Sequence, residues 1–237
     1  MRPIHLFLSL FVLASASVQA GEKEIRQSLQ KSLTGADITS VSKTPYGGLY
    51  EVVVDGQVAY ATADGKYLVL GDVIDLSGKR NITAMRNAKL SEVKWSSLPL
   101  ANAIKEVKGN GSRKLAIFSD ADCPYCRKLE PELEKLDNVT IYTFLYPIVN
   151  LHPDAVPTSK QIWCEKDRLK AWKGYMLRGE EPKSRGDCPN PVDATVELGT
   201  KLRVSGTPTI ILENGQRIPG YIPADKLDQM MNAASRK

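Results

Sequence analysis

Two cysteines separated by two residues, in Cys123-Pro124-Tyr125-Cys126, have the clearest capacity for chemistry in this sequence. A thiolate attacks a disulfide sulfur, and a second thiol at this spacing can reach the mixed disulfide that forms. Leu129, Leu133 and Leu136 continue with helical spacing, so the cysteines fall at the start of a predicted helix. Unpaired N–H groups and the helix dipole favour an anion there, which lowers a thiol pKa. Pro124 suits the first helical turn, where a missing N–H costs nothing. Arg127 and Lys128 add positive charge nearby, and Asp120 and Asp122 oppose it. Far downstream, Ser205-Gly206-Thr207-Pro208-Thr209 precedes a predicted strand. A proline so placed can hold a cis peptide; the alternative is an ordinary trans turn.

Two other readings of the cysteine pair are weaker. Half of a zinc site would need a second close pair, but Cys164 and Cys188 are far apart and His152 stands alone. No metal is therefore expected. A purely structural disulfide across two residues would constrain little unfolded-chain entropy.

The elements that must position this chemistry follow from periodicity. Ile25, Leu29 and Leu33 predict a short amphipathic helix over 22–33. Strands are expected at Tyr50 to Val54, Val58 to Thr62 and Tyr67 to Leu70, joined by Asp55-Gly56 and Asp64-Gly65 turns. Val73, Ile74 and Leu76 suggest one more. A polar helix over 82–93, with Asn81 as its cap, reads as a linker ahead of the Lys108-to-Ser112 loop. Strands at Leu115 to Phe118 and Ile141 to Leu145 flank the cysteine helix. A helix is expected over Trp163 to Met176, then a strand at Thr209 to Leu212 returning at Gln216 to Ile218, and a last helix over Pro223 to Met231. The expected division is 1–20, 21–81 as a small α+β domain, 82–111 as linker and 112–237 as an α/β domain.

The first 20 residues have the layout of a cleaved signal peptide: Arg2, an apolar stretch through Leu13, and an exit at Val18-Gln19-Ala20. Export would place the chain where disulfides persist, and all four cysteines lie beyond the cut. The net charge of +5 over 237 residues is mild and argues against a nucleic-acid partner.

These residues together resemble the DsbC family of bacterial disulfide isomerases, within the thioredoxin superfamily. The resemblance runs over residues 21 to 237. It is carried by Asp120-Ala121-Asp122-Cys123-Pro124-Tyr125-Cys126-Arg127-Lys128-Leu129, by Ile162-Trp163-Cys164, by Val204-Ser205-Gly206-Thr207-Pro208 and by Pro219-Gly220-Tyr221. It implies a periplasmic protein with an N-terminal dimerisation domain, a linker helix and a thioredoxin-like catalytic domain. Cys123 would be the attacking thiol, Cys126 the resolving thiol, and Thr207-Pro208 the cis-proline loop facing them. Cys164 and Cys188 would form the family's structural disulfide, with a second redox pair as the alternative. A homodimer, misfolded exported clients with non-native disulfides, and a membrane reductase of the DsbD type are implied as partners, with no cofactor. The chain departs from the family in carrying Pro-Tyr where Gly-Tyr is frequent, at a position pair that tunes redox potential. Leu115-Ala116-Ile117-Phe118 also lacks the buried carboxylate that thioredoxin carries on this strand. A net oxidase resembling DsbA, a redox-independent chaperone and a reductase dedicated to one client are the rival readings.

Overall fold

The computed structural model describes residues 21–235, which fall into two compact units, one ending at Leu90 and one beginning at Ser91. The expected signal peptide lies outside the described residues. Among the described residues no helix is long and apolar enough to cross a membrane.

The first unit opens with helix α1 (Glu22–Ser32), whose Ile25 and Leu29 are buried one turn apart on one face. They pack on an antiparallel sheet of β1 (Ile38–Lys43), β2 (Tyr50–Val54), β3 (Gln57–Ala61) and β4 (Leu68–Val69), in that order. Asp55 and Gly56 turn β2 into β3 with both residues at positive φ, the backbone that an Asp-Gly hairpin supplies at least strain. Ile38, Val41, Tyr50, Val52 and Ala61 complete the core beneath α1. A two-stranded ribbon, β5 (Ile74–Asp75) and β6 (Arg80–Asn81), leads into α2 (Ile82–Leu90).

The expected linker over 82–111 is divided between the two units. Helix α2 docks on the first sheet: the Tyr60 hydroxyl meets Thr83 Oγ1 at 2.6 Å, the Val58 N–H donates to Asn87 Oδ1 at 2.8 Å, and Arg86 pairs with Glu51 at 2.9 Å. Its polar residues are thus the docking contacts. Asn81 does cap it, accepting from the Ala84 N–H at 2.7 Å. Further along, β7 (Ile104–Lys108) is an edge strand of the second unit's sheet.

That unit continues with β8 (Arg113–Ser119), α3 (Pro124–Glu134), β9 (Val139–Leu145), α4 (Ala155–Cys164), α5 (Arg168–Arg178), α6 (Val192–Lys201), β10 (Thr209–Leu212), β11 (Arg217–Pro219) and α7 (Ala224–Ala234). The single helix expected over 163–176 is two helices. Asp167, extended at φ −116° and ψ 91°, caps α5 by accepting from the Lys170 N–H.

The sheet order is β11-β10-β8-β9-β7, with only β8 and β9 parallel. Its central strand β8 is buried on both faces and accordingly reads as an uninterrupted apolar run. Leu115 and Ile117 meet Leu129 and Leu133 of α3 and Leu227 and Met231 of α7. Ala116 and Phe118 face the other way, toward Phe144, Tyr146 and Ile211. This topology fixes the site. Thr209 of β10 lies opposite Phe118 of antiparallel β8, so the chain entering β10 passes beside the chain leaving β8.

Candidate active site

Chain leaving β8 runs through Asp120 and Asp122 to Cys123, which is the N-cap residue of α3. Its backbone is extended there, and Pro124 occupies the first turn. The Cys123 N–H donates to the Asp120 carbonyl at 3.2 Å, and the Cys123 carbonyl accepts from the Arg127 N–H at 3.0 Å. Cys126, one turn into the helix, points inward and is fully buried, while Tyr125 between them faces solvent. Both cysteines stand as free thiols.

The two thiols are driven in opposite directions. Cys123 is held down at about 5, first by a hydrogen bond from the Cys126 side chain, against burial, and then by the Thr207 side chain and the N–H groups of Cys126 and Tyr125. Cys126 is pushed up, chiefly by its burial, and its hydrogen bond with Cys123 adds to that. One thiol is therefore ionised at neutral pH and its neighbour keeps its proton. That division separates a nucleophile from a reserve thiol.

Thr207 and Pro208 arrive from the β10 side. The Thr207–Pro208 peptide bond is cis. The Cys123 Sγ lies 3.4 Å from the Thr207 carbonyl oxygen. Cys123, Cys126, Thr207 and Pro208, separated by more than 80 positions in sequence, thus form one constellation. Cys164 and Cys188 form a separate disulfide joining the end of α4 to the segment before α6, packed against the apolar cluster that contains Cys123 and Cys126.

Around the pair lie charged groups to which the sequence gives little weight. Asp120 is wholly buried, and its Oδ2 accepts from the Ile148 N–H at 2.7 Å and faces His152 Nδ1 at 3.0 Å. Asp122 Oδ1 accepts from the Tyr175 hydroxyl at 2.6 Å; burial first, then this carboxylate, pushes that phenol up to about 12. The Arg127 guanidinium lies 5.2 Å above the Tyr175 ring. A second buried carboxylate, Glu130, sits on α3 and accepts from Trp172 Nε1 at 2.9 Å. Buried acids thus flank the motif from the loop and the helix. The signal that could have found Asp120 was its place three residues before Cys123. Nothing local marks Glu130.

Comparison with known proteins bears on this geometry. Residues 100–235 match the family model of a thioredoxin-like domain, and residues 16–84 match that of the disulfide bond isomerase protein N-terminal domain. The chain is 41% identical over 204 residues to a "probable thiol:disulfide interchange protein DsbC" of Bordetella pertussis, covering 86% of this chain and 72% of that one. The chain belongs to the DsbC family. A further DsbC, the thiol:disulfide interchange protein of Salmonella typhimurium, is 31% identical over 219 residues, which are 91% of this chain and 89% of that one. Among solved structures, the disulfide interchange protein from Neisseria gonorrhoeae is 44% identical with a TM-score of 0.57, over 59% of this chain and all of that one. The architecture implied by the resemblance, a thioredoxin-like domain preceded by a small DsbC-type N-terminal domain, is thereby established. Pro124 occupies the first helical turn after Cys123.

Proposed function

We propose that this chain is a periplasmic enzyme that rearranges non-native disulfides in misfolded exported proteins. Cys123 is the attacking thiolate, Cys126 the resolving thiol, and Thr207-Pro208 the loop that flanks the nucleophile. The observation that carries this reading is the geometric split between the two thiols, Cys123 at the N-cap of α3 and 3.4 Å from the Thr207 carbonyl while Cys126 is buried one turn on, in a chain that also carries a DsbC-type N-terminal domain.

The chemistry follows from that split. The Cys123 thiolate attacks one sulfur of a client disulfide; the client's other sulfur leaves as a thiolate, and a Cys123–client mixed disulfide forms. A different client thiolate can then attack the client sulfur of this bond. That step forms a new client disulfide and returns Cys123 as a thiolate, with no net oxidation. Alternatively Cys126 gives up its proton and attacks the Cys123 sulfur, which releases the client as a thiol. The Cys123–Cys126 disulfide left behind holds the two electrons' worth of oxidation taken from the client. A membrane reductase of the DsbD type returns it to the dithiol. Cys164–Cys188 is a staple in this reading: closing the chain between positions 24 apart stabilises the fold by about 3 kcal/mol in the chain-entropy account. The enzyme acts as a homodimer joined through the first unit, where edge strand β4 leaves Val69 and neighbouring Leu70 exposed.

One observation favours a net oxidase instead. A low-pKa thiol is a good leaving group, which makes its disulfide more oxidising, and Cys123 is such a thiol. Refolding of a scrambled multi-disulfide protein separates the two readings. The chain from Gly21 restores native activity to the scrambled client, and Cys123→Ser abolishes the rescue. Oxidation of a reduced client without rescue of the scrambled one assigns the oxidase role and points to Pro124.

A further inference from the structure

His152 is the one histidine of the sequence beyond His5, and it stands against the loop that carries Cys123. It lies on the turn after β9, where its N–H donates to the Ile148 carbonyl at 2.9 Å. Its Nδ1 is 3.0 Å from Asp120 Oδ2. Asp120 has no exposed surface, yet every part of it is engaged. Oδ2 also accepts from the Ile148 N–H, and Oδ1 accepts from the Asp122 N–H at 2.9 Å. Its carbonyl accepts from the Cys123 N–H, and its own N–H is directed at Cys126 Sγ at 3.4 Å. A buried carboxylate is costly unless hydrogen-bonded and paired with a positive charge. His152 can supply that charge, and its side chain keeps 21% of its surface exposed, so it exchanges protons with water.

We propose that His152 is a positioning residue for thiol–disulfide exchange: as an imidazolium held on Asp120, whose carbonyl and N–H are engaged by Cys123 and Cys126, it places positive charge against the cysteine-bearing loop, so that reduction of the Cys123–Cys126 disulfide is coupled to protonation of His152. The inference rests on the exchange reading above and deepens it. The titratable groups facing His152 are Asp120 and Asp122 from the β8–α3 loop and Cys123 at the start of α3; Tyr175 of α5 stands behind Asp122. The imidazole is raised above its ordinary value, first by the hydrogen bond to Asp120, against burial, and then by the charges of Asp120, Cys123 and Asp122. The Cys123 charge exists only in the reduced protein. Linkage is reciprocal: a thiolate that favours the imidazolium is favoured by it to the same extent.

The balance is explicit. Two electrons from a client or a small thiol, with one proton, convert the disulfide into the Cys123 thiolate and the Cys126 thiol. Between the His152 pKa of the oxidised protein and the higher one of the reduced protein, a second proton is taken up on the imidazole. In that window the exchange equilibrium gains up to a further tenfold per pH unit, about 30 mV for a two-electron couple.

The test uses the chain from Gly21, in which His152 is the sole histidine. Its imidazole ring resonances are titrated by NMR in the oxidised and reduced proteins. Thiolate absorbance of Cys123 and the equilibrium with glutathione are followed against pH in wild type and His152→Asn, which keeps a donor toward Asp120 without the charge. The expected results are a higher imidazole pKa in the reduced protein, an upward shift of the Cys123 titration in the variant, and a shallower pH dependence of its equilibrium. Equal imidazole pKa values in the two redox states overturn the inference without recourse to any variant, as do unchanged Cys123 titration and pH dependence in His152→Asn. If wild type does not exchange with glutathione at all, the exchange reading falls and this inference falls with it.

Discussion

Glu130 shows how a single side chain sets the working range of this fold. It lies one helical turn beyond Cys126 with 4% of its surface exposed, and its Oε1 receives the Trp172 indole N–H. Burial, the largest influence, pushes its carboxyl up to about 7; the Trp172 bond and Lys173 pull it down, while Glu106 and Glu134 push it up. The folded protein therefore holds this proton more tightly than the unfolded chain, whose carboxyl titrates near 4.5. Below that value both states carry the proton and the contribution is complete. As pH rises through about 7 the folded protein must ionise a buried acid, and stability is lost. A rise of this size corresponds to roughly 3 kcal/mol. Glu130→Gln keeps an acceptor for Trp172 and removes the titration. Urea unfolding should find the variant close to wild type at pH 4 and more stable at pH 8 by up to that amount. Equal pH dependence in the two proteins would place the ionisation elsewhere.

At the scale of elements, α6 is held by one close approach. A Cβ on Gly199 would collide with the Tyr146 ring at Cε2. Tyr146 is buried and its hydroxyl donates to the Val204 carbonyl at 3.1 Å, so the ring has little room to yield. Alanine is the better helix former by about 1 kcal/mol, but overpacking costs about 1–3 kcal/mol. Gly199→Ala is expected to lower the melting temperature, and a rise would show that the ring moves aside. The same helix shows what the sequence conceals. Val192–Lys201 contains two Val, two Thr and a Gly, so propensity does not announce a helix; packing of Val192 and Thr195 into the interior makes it one. Edge strand β7, Ile-Lys-Glu-Val-Lys, carries charges and was absorbed into the expected linker, since an edge needs no apolar run. Hairpins marked by Asp-Gly, the apolar β8 and the cysteine-bearing helix were legible, because local chemistry alone demands them. The disposition of the cysteine pair and Thr207-Pro208 was legible through the family resemblance. His152 and Glu130 were not, because their partners Asp120 and Trp172 lie 32 and 42 positions away.

At the scale of the whole molecule, the first unit leaves its apolar surface unfinished. A sheet of four short strands under one helix buries little for its length, and β4 is one of its two edge strands. Leu70, directly after that strand, is 78% exposed, and Tyr67, Val69 and Leu76 are exposed with it. Unpaired strand edges bearing apolar side chains are templates for another chain. A second copy, presenting the same strand, is the occupant proposed here, since a two-fold contact lets one surface satisfy itself. Sedimentation of the chain from Gly21 is expected to give a dimer, and Leu70→Glu a monomer, because pairing would bury the new carboxylates against one another. Exchange of Cys123 with a small disulfide should persist in that monomer, as Leu70 belongs to the other unit. Rescue of a scrambled protein client should fall, because a large substrate then meets one catalytic unit instead of two. A wild-type chain that sediments as a monomer, or a Leu70→Glu chain that remains dimeric, would remove β4 from the assembly and leave its apolar residues to a different partner.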